Sequence, residues 1–383
     1  MIPGFTSTQS KRPAALFGDV PGAPARMLRS EGCRVWDEQG REYLDTIMAL
    51  GAVGLGYGHP AVVAAVEKAA RDGIVGPLPP VLEEEVAERL AAIIPGAEAT
   101  RFLKTGAEAT AAAVRLARTY TGREAVITCG YHGWLDWCQE AEGVPKADVG
   151  LRRQIPFNDI AGLEASLAGG PPPAAIVIEP VIEALPTAPW LSALQKAAKV
   201  AGAVLVFDEI KTAFRVEIGG IAERFGVTPD LTVLGKALGN GLPIAAVCGR
   251  KDLMEAAGRT WISSTLATEY VSLAAARAVI ETYTTEPVVD RITESGDALI
   301  AGLERLVRLY PRVATGVRGI PEMCYVTWRD EAVSSAVALT ASQRGLLFKR
   351  TAYNFMSLAH TEETVNEILV RLESALDGVN RTC

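Results

Sequence analysis

The sequence predicts an α/β protein: a large domain on a mainly parallel β-sheet, and a smaller α+β domain assembled from both chain ends. Three observations predict it. Between residues 100 and 250, short apolar runs alternate with helical patterns, which is the rhythm of βαβ units. Two of those runs, Ala174-Ala-Ile-Val-Ile178 and Val204-Leu-Val-Phe207, are apolar at every position, as in strands buried on both faces. From residue 313 onward, shorter strand and helix patterns follow one another without that rhythm. The expected division is an N-terminal arm and part of the small domain in residues 1–47, a large domain in 48–285, and the rest of the small domain in 286–383.

The elements follow in order. Residues 1–30 are rich in Pro, Gly and Ser, and are expected to form an irregular arm. Arg34 to Asp45 reads as a β-hairpin turning at Glu38-Gln-Gly40. Residues 48–59 carry four glycines, which allow close backbone approach. Pro60 starts a helix to about Arg71. A second helix, Leu82 to Ile94, shows Leu82, Val86, Leu90 and Ile93 at helical spacing, a core face. A strand from Arg101 enters an alanine-rich helix at Gly106, and a strand at 125–129 ends in Gly130-Tyr-His-Gly-Trp134. Residues 138–172 are expected to be irregular, with a helix near Leu163–Leu167. Strands at 174–180, 204–207 and 244–249 and a helix at 191–202 complete the large sheet. One long helical region is expected from Ser272 to about Arg308.

Composition narrows the function. The 383 residues are 49% hydrophobic and 22% charged, ordinary for a globular protein with a large core. A net charge of -7 argues against nucleic acid as a partner. Six scattered cysteines without a C-x-x-C pair argue against a disulfide framework, and three distant histidines against a metal site. No apolar run reaches membrane-spanning length and no signal pattern opens the chain, so a cytoplasmic protein without membrane contact is expected.

In a parallel sheet, ligands gather at the carboxyl ends of the strands. Gly106, Tyr131, Glu179, Asp208 and Lys236 all fall at or just past such ends. Gly106 opens a helix, where free amides make a phosphate seat. Tyr131 is an aromatic between glycines, suited to stacking on a flat ring. Asp208 ends one apolar strand in Val204-Leu-Val-Phe-Asp-Glu-Ile210. Lys236 ends another in Leu231-Thr-Val-Leu-Gly-Lys236. One chemistry needs a lysine and a carboxylate at a shared centre: a lysine in Schiff-base linkage with pyridoxal 5′-phosphate, and a carboxylate that keeps the pyridine nitrogen protonated. Taken singly, each motif is matched by chance; their shared placement makes the case.

These residues resemble the class III aminotransferases of fold type I, in the branch near glutamate-1-semialdehyde aminomutase. The likeness runs nearly end to end. It includes Leu55-Gly-Tyr-Gly-His-Pro60, Lys104-Thr-Gly-Ala-Glu-Ala-Thr110, Gly130-Tyr-His-Gly133, Ile178-Glu-Pro180, Phe207-Asp-Glu209, Leu234-Gly-Lys-Ala237 and Ala359-His-Thr-Glu-Glu363. The resemblance implies pyridoxal 5′-phosphate as cofactor, with pyridoxamine 5′-phosphate as its aminated form. It implies Lys236 and Asp208 as catalytic residues. It implies Gly106, Ala107, Tyr131, His132, Glu179, Ile210 and Thr265 as cofactor contacts, with Tyr131 and Ile210 on opposite ring faces and Glu209 nearby. Thr265 would reach the phosphate of a neighbouring subunit, since family sites lie at a homodimer interface. Two departures stand out. Ala107 replaces the Ser or Thr usual after the phosphate-site glycine, and Ala213 interrupts a common Thr-Gly-Phe-Arg.

The activity expected is transfer of an amino group from an amino-acid donor to an aldehyde or ketone, sugar-like or secondary-metabolite in type. The alternative is an intramolecular aminomutase. Gly4-Phe-Thr-Ser-Thr8 stands where the aminomutase has Gly-Gly-Val-Asn-Ser, and residues 139–151 lack its small-residue gating loop. Both point toward transfer. Arg26, Arg215 and Arg350 are candidates for a substrate carboxylate.

Overall fold

The structure, a computed structural model, describes residues 2–18 and 20–381. Cys383 lies outside the described residues. The chain divides into two compact units: Met1–His59 with Pro287–Cys383, and Pro60–Glu286.

The Pro60–Glu286 unit is built on a seven-stranded sheet. Its strands are β1 (Ala99–Leu103), β2 (Val126–Cys129), β3 (Arg152–Gln154), β4 (Ala175–Ile178), β5 (Val204–Asp208), β6 (Leu231–Leu234) and β7 (Ala245–Gly249). Their order across the sheet is β1-β7-β6-β5-β4-β2-β3. Only β7 runs against the others, pairing antiparallel with both β1 and β6. The remaining pairs are parallel, in registers such as Ile178↔Phe207 and Asp208↔Val233. Strands β4 to β7 are buried at every position. Both faces must therefore be covered, as the uninterrupted apolar runs require.

The Gly106–Thr121 helix covers one face. Its Ala109, Ala113, Leu116 and Ala117 are wholly buried in a cluster with Val126, Val177, Val206, Val233 and Val247. The alanines bring the helix close to the strands, so its N-terminus stands beside their carboxyl ends. Thr105 and Glu108 form a reciprocal capping box at that end. A left-handed Gly122 ends the helix.

The unit of the two chain ends holds a four-stranded sheet and a three-stranded sheet. The expected hairpin is there, Arg34–Asp37 antiparallel to Glu42–Asp45. Residues Leu346–Leu347 join it in parallel. Helices Val288–Leu309, Glu331–Gln343 and Glu362–Asn380 complete the unit.

Four expectations need correction. Residues 1–30 are not wholly irregular, since they contain the Pro13–Phe17 helix and a strand, Met27–Glu31, paired with Arg34–Asp37. Residues 138–172 contain a short helix, Lys146–Gly150, and the edge strand β3. The long helical region is two helices, Tyr270–Thr285 and Val288–Leu309, because Pro287 lacks the amide to continue the first. Residues 48–59 group with the chain ends rather than with the large sheet. Backbone bonds between Gly32 and Tyr57 and from Leu358 to Gly54 hold them there.

Candidate active site

The carboxyl ends of β1, β2, β4, β5 and β6 point the same way, and the residues singled out from the sequence follow them. Asp208 closes β5 and is buried. Its Oδ2 lies 2.8 Å from His132 Nδ1, and its Oδ1 accepts the Ile210 amide at 3.3 Å. His132 is itself buried, and its Nε2 sits 3.1 Å from the Cys129 carbonyl oxygen. Its ring stacks near Trp137, with centroids 6.1 Å apart. The imidazole is thus wedged between strand end and aromatic, and holds the Asp208 carboxylate in one orientation.

Lys236 follows β6, the strand beside β5. Gly235 precedes it in extended backbone, and Lys236 takes a left-handed φ of 44° at the start of a 3₁₀ turn. A left-handed lysine is strained, at a cost of about 1–3 kcal/mol. Lys236 is partly buried. Burial, then the positive charge of Lys211, push its amine down to about 8, against the pull of Glu179 and Asp208. Such an amine sheds its proton near neutral pH, which an ordinary lysine does not.

Gly106 and Ala107 open the helix after β1. The capping box occupies the Glu108 amide. The amides of Gly106 and Ala107 come before the first intrahelical acceptor. A Cβ on Gly106 would stand 2.7 Å from Ile210 Cδ1, so glycine is what lets the helix entrance meet Ile210. Ile210 also lies against Gly235, and Ala107 against Gly133. Tyr131 is 68% exposed, so its ring is open to a ligand. Its amide donates to Glu179 Oε2 at 3.0 Å. Gly130, at φ 101°, permits that approach, since a Cβ there would collide with the Glu179 side chain.

A profile of the family described as Aminotransferase class-III matches residues 19–376. The chain belongs to the class-III aminotransferases. Pyridoxal 5′-phosphate is the cofactor of that family, and the fold is fold type I. Among curated class-III relatives, glutamate-1-semialdehyde 2,1-aminomutase of Gemmatimonas aurantiaca is 35% identical over 401 residues, covering 95% of this chain and 92% of that one. Among solved structures, the pyridoxal-phosphate internal aldimine form of the FumI protein of Sphingopyxis sp. MTA144 superimposes with a TM-score of 0.93 at 26% identity, covering 100% of this chain and 94% of the other. A transaminase with pyridoxal phosphate bound gives 0.91 at 25% identity, covering 100% and 96%.

Glu209 is fully buried and faces the Gly220–Phe225 helix, where it accepts the Ile221 and Ala222 amides at 3.0 and 2.9 Å and the Thr212 hydroxyl. Burial pushes its carboxyl up to about 7. Thr265 lies in an exposed turn. Arg215 is wholly buried, and Arg350 lies 3.4 Å from Glu331. One charged residue went unnoticed in the sequence. Lys211 is buried, with Nζ 2.5 Å from Glu179 Oε1. Its signal was a lone cation inside the run Phe207 to Phe214.

Proposed function

We propose that this protein is a pyridoxal-5′-phosphate-dependent enzyme that relocates amino groups, with Lys236 and Asp208 as its catalytic residues. The observation that carries this reading is the braced, buried carboxylate of Asp208 and the depressed amine of Lys236 at the ends of adjacent strands. The residues around them fit the cofactor. Gly106 leaves the helix entrance bare, and the amides of Gly106 and Ala107 suit a phosphate. Ala107 contributes no hydroxyl, so one hydrogen bond is absent, worth about 1–2 kcal/mol at a charged oxygen.

Bound there, the cofactor supplies an aldehyde that takes up an amine and a ring that accepts electrons. Lys236 would tether it, and its freed Nζ would carry the proton to and from the substrate carbon. Asp208, held by His132, would keep the ring nitrogen protonated. Tyr131 and Ile210 would flank the ring. Glu179 would fix the Tyr131 backbone.

Which amino-group reaction follows has two supports. The curated relative named above is an intramolecular aminomutase, and this favours migration within one substrate. The transaminase likeness and the chain's Gly4-Phe-Thr-Ser-Thr8 favour transfer from an amino-acid donor to a separate aldehyde or ketone. We weight the aminomutase type first, because that likeness is the higher in sequence identity.

A homodimer with shared sites accompanies either reading. Trp261 and Leu266 flank Thr265 and are 82% and 52% exposed, as residues awaiting a partner subunit would be. Sedimentation analysis tests this.

The experiment for the reaction uses purified protein loaded with pyridoxal 5′-phosphate. A visible-edge absorbance band that is lost in Lys236→Ala supports the cofactor reading, and a protein that takes up no cofactor overturns it. Isomerisation of glutamate-1-semialdehyde without added donor supports the aminomutase. Stoichiometric keto-acid release from an amino acid, with no isomerisation, supports the transferase.

A further inference from the structure

Lys211 has no part in the roles assigned above. It is a second buried lysine three residues past Asp208, and its environment is unusually specific. Strands β4 and β5 are parallel neighbours with Ile178 opposite Phe207. Glu179 and Lys211 leave these two strands on the same side and meet at 2.5 Å. Glu179 uses its other oxygen for the Tyr131 amide. Its own amide donates to the Cys129 carbonyl oxygen at 2.8 Å. One carboxylate therefore ties together the ends of β2, β4 and β5. Lys236 leaves β6, on the opposite side of β5.

A buried ion pair is costly to assemble, and replacing it with apolar groups is often neutral for stability. An ion pair at this position thus calls for a role other than stability. The charges around Lys236 are Lys211, Glu179, Asp208 and Arg215. Asp208 is engaged by His132, and Glu179 by Lys211.

We propose that Lys211 is a positioning residue of this active site: pinned on Glu179, it holds a fixed cation just past the end of β5, the strand next to the one Lys236 follows, and it locks Glu179 onto the Tyr131 backbone. The proposal rests on the reading of Lys236 as the catalytic amine. Two like charges repel, so Lys211 favours the neutral form of Lys236, the form that attacks a carbonyl and accepts a proton. The direction agrees with the lowered Lys236 value, in which Lys211 is the largest contribution after burial. Glu179 restrains Lys211, so the cation cannot swing away to solvent.

The test uses the cofactor-free chain, so that it does not depend on whether the protein binds pyridoxal phosphate. Reductive methylation of Lys236 is followed by mass spectrometry as a function of pH. In the wild type the labelling midpoint is expected near pH 8. In Lys211→Met it rises by about one pH unit, which cuts labelling at pH 8 about fivefold. In Lys211→Arg, which keeps the charge, it stays near the wild-type value. In Glu179→Gln, whose amide oxygen still accepts from the Lys211 ammonium while the opposing charge is gone, it falls. The last variant retains Lys211, so the proposal remains testable if Lys211→Met does not fold. A midpoint unmoved in folded Lys211→Met, or unmoved in Glu179→Gln, overturns the proposal and assigns the pair a structural role only. In the loaded enzyme, Lys211→Met should lower kcat more than it raises KM, with partial recovery in Lys211→Arg. An enzyme without cofactor would defeat the functional reading while leaving the labelling result intact.

Discussion

Replacing Gly106 with alanine probes the contact on which the helix entrance is built. The added methyl would stand 2.7 Å from Ile210 Cδ1, well inside van der Waals contact. Backbone strain adds nothing, because Gly106 sits in ordinary helical backbone. The whole effect is therefore overpacking, about 1–3 kcal/mol. If the loss falls on cofactor affinity, the dissociation constant rises about 5- to 150-fold. The offending atom is the outermost carbon of Ile210. The next nearest atoms, Cγ1 and Cγ2, lie at 3.5 Å, an ordinary contact. Ile210→Val deletes only the clashing carbon, at about 0.5–1.5 kcal/mol on its own. The double variant should therefore behave like Ile210→Val alone, with a coupling equal to the whole Gly106→Ala loss, about 1–3 kcal/mol, in a double-mutant cycle. Fluorescence titration with pyridoxal phosphate and thermal unfolding of the cofactor-free protein measure the two parts. If the single losses simply add, Ile210 is not what excludes a side chain at position 106, and the reasoning fails.

Other outcomes follow from the same geometry. The folded Lys236 amine titrates near 8 and an ordinary lysine near 10.5, so the unfolded chain holds the extra proton between those values. Relative to Lys236→Met, the cofactor-free protein should gain stability between about pH 8 and 10.5, by on the order of 2–3 kcal/mol after allowing for partial exposure. The measurement is the difference between two pH-dependent denaturation series, because the buried cysteine thiols, raised above their ordinary value, lower the absolute stability of both proteins at the alkaline end. Glu209→Ala leaves two buried amides and a hydroxyl without their acceptor, and should cost about 3 kcal/mol by denaturant titration with the cofactor spectrum unchanged. Gly296→Ala in the Val288–Leu309 helix drives a methyl into the Pro321 backbone, and should lower the melting temperature more than Gly150→Ala, where space is open.

Much of the candidate site was legible in the linear chain because strand ends are legible. Asp208 and Lys236 each terminate an apolar run, and a parallel sheet brings all such ends to one edge. Gly106 was readable as a helix mouth for a related reason, since local chain direction decides where free amides point. The partners of Glu209 were not legible, because adjacent residues at a strand end face opposite ways: Asp208 meets His132, and Glu209 the Gly220–Phe225 helix. Pro287 marked a helix break that was overlooked, although its missing amide made the break a local matter.

By itself, the order of residues determined the βαβ rhythm, the buried strands, the lysine and carboxylate proposed for the site, and the family. Those depend on apolar periodicity and on chemistry carried by single side chains, which are local properties. Tertiary structure alone decided the pairing of Lys211 with Glu179, the bracing of Asp208 by His132, and the contact between Gly106 and Ile210. Each joins residues from different strand ends, and the distances between those ends are set by the packing of the sheet and its covering helix.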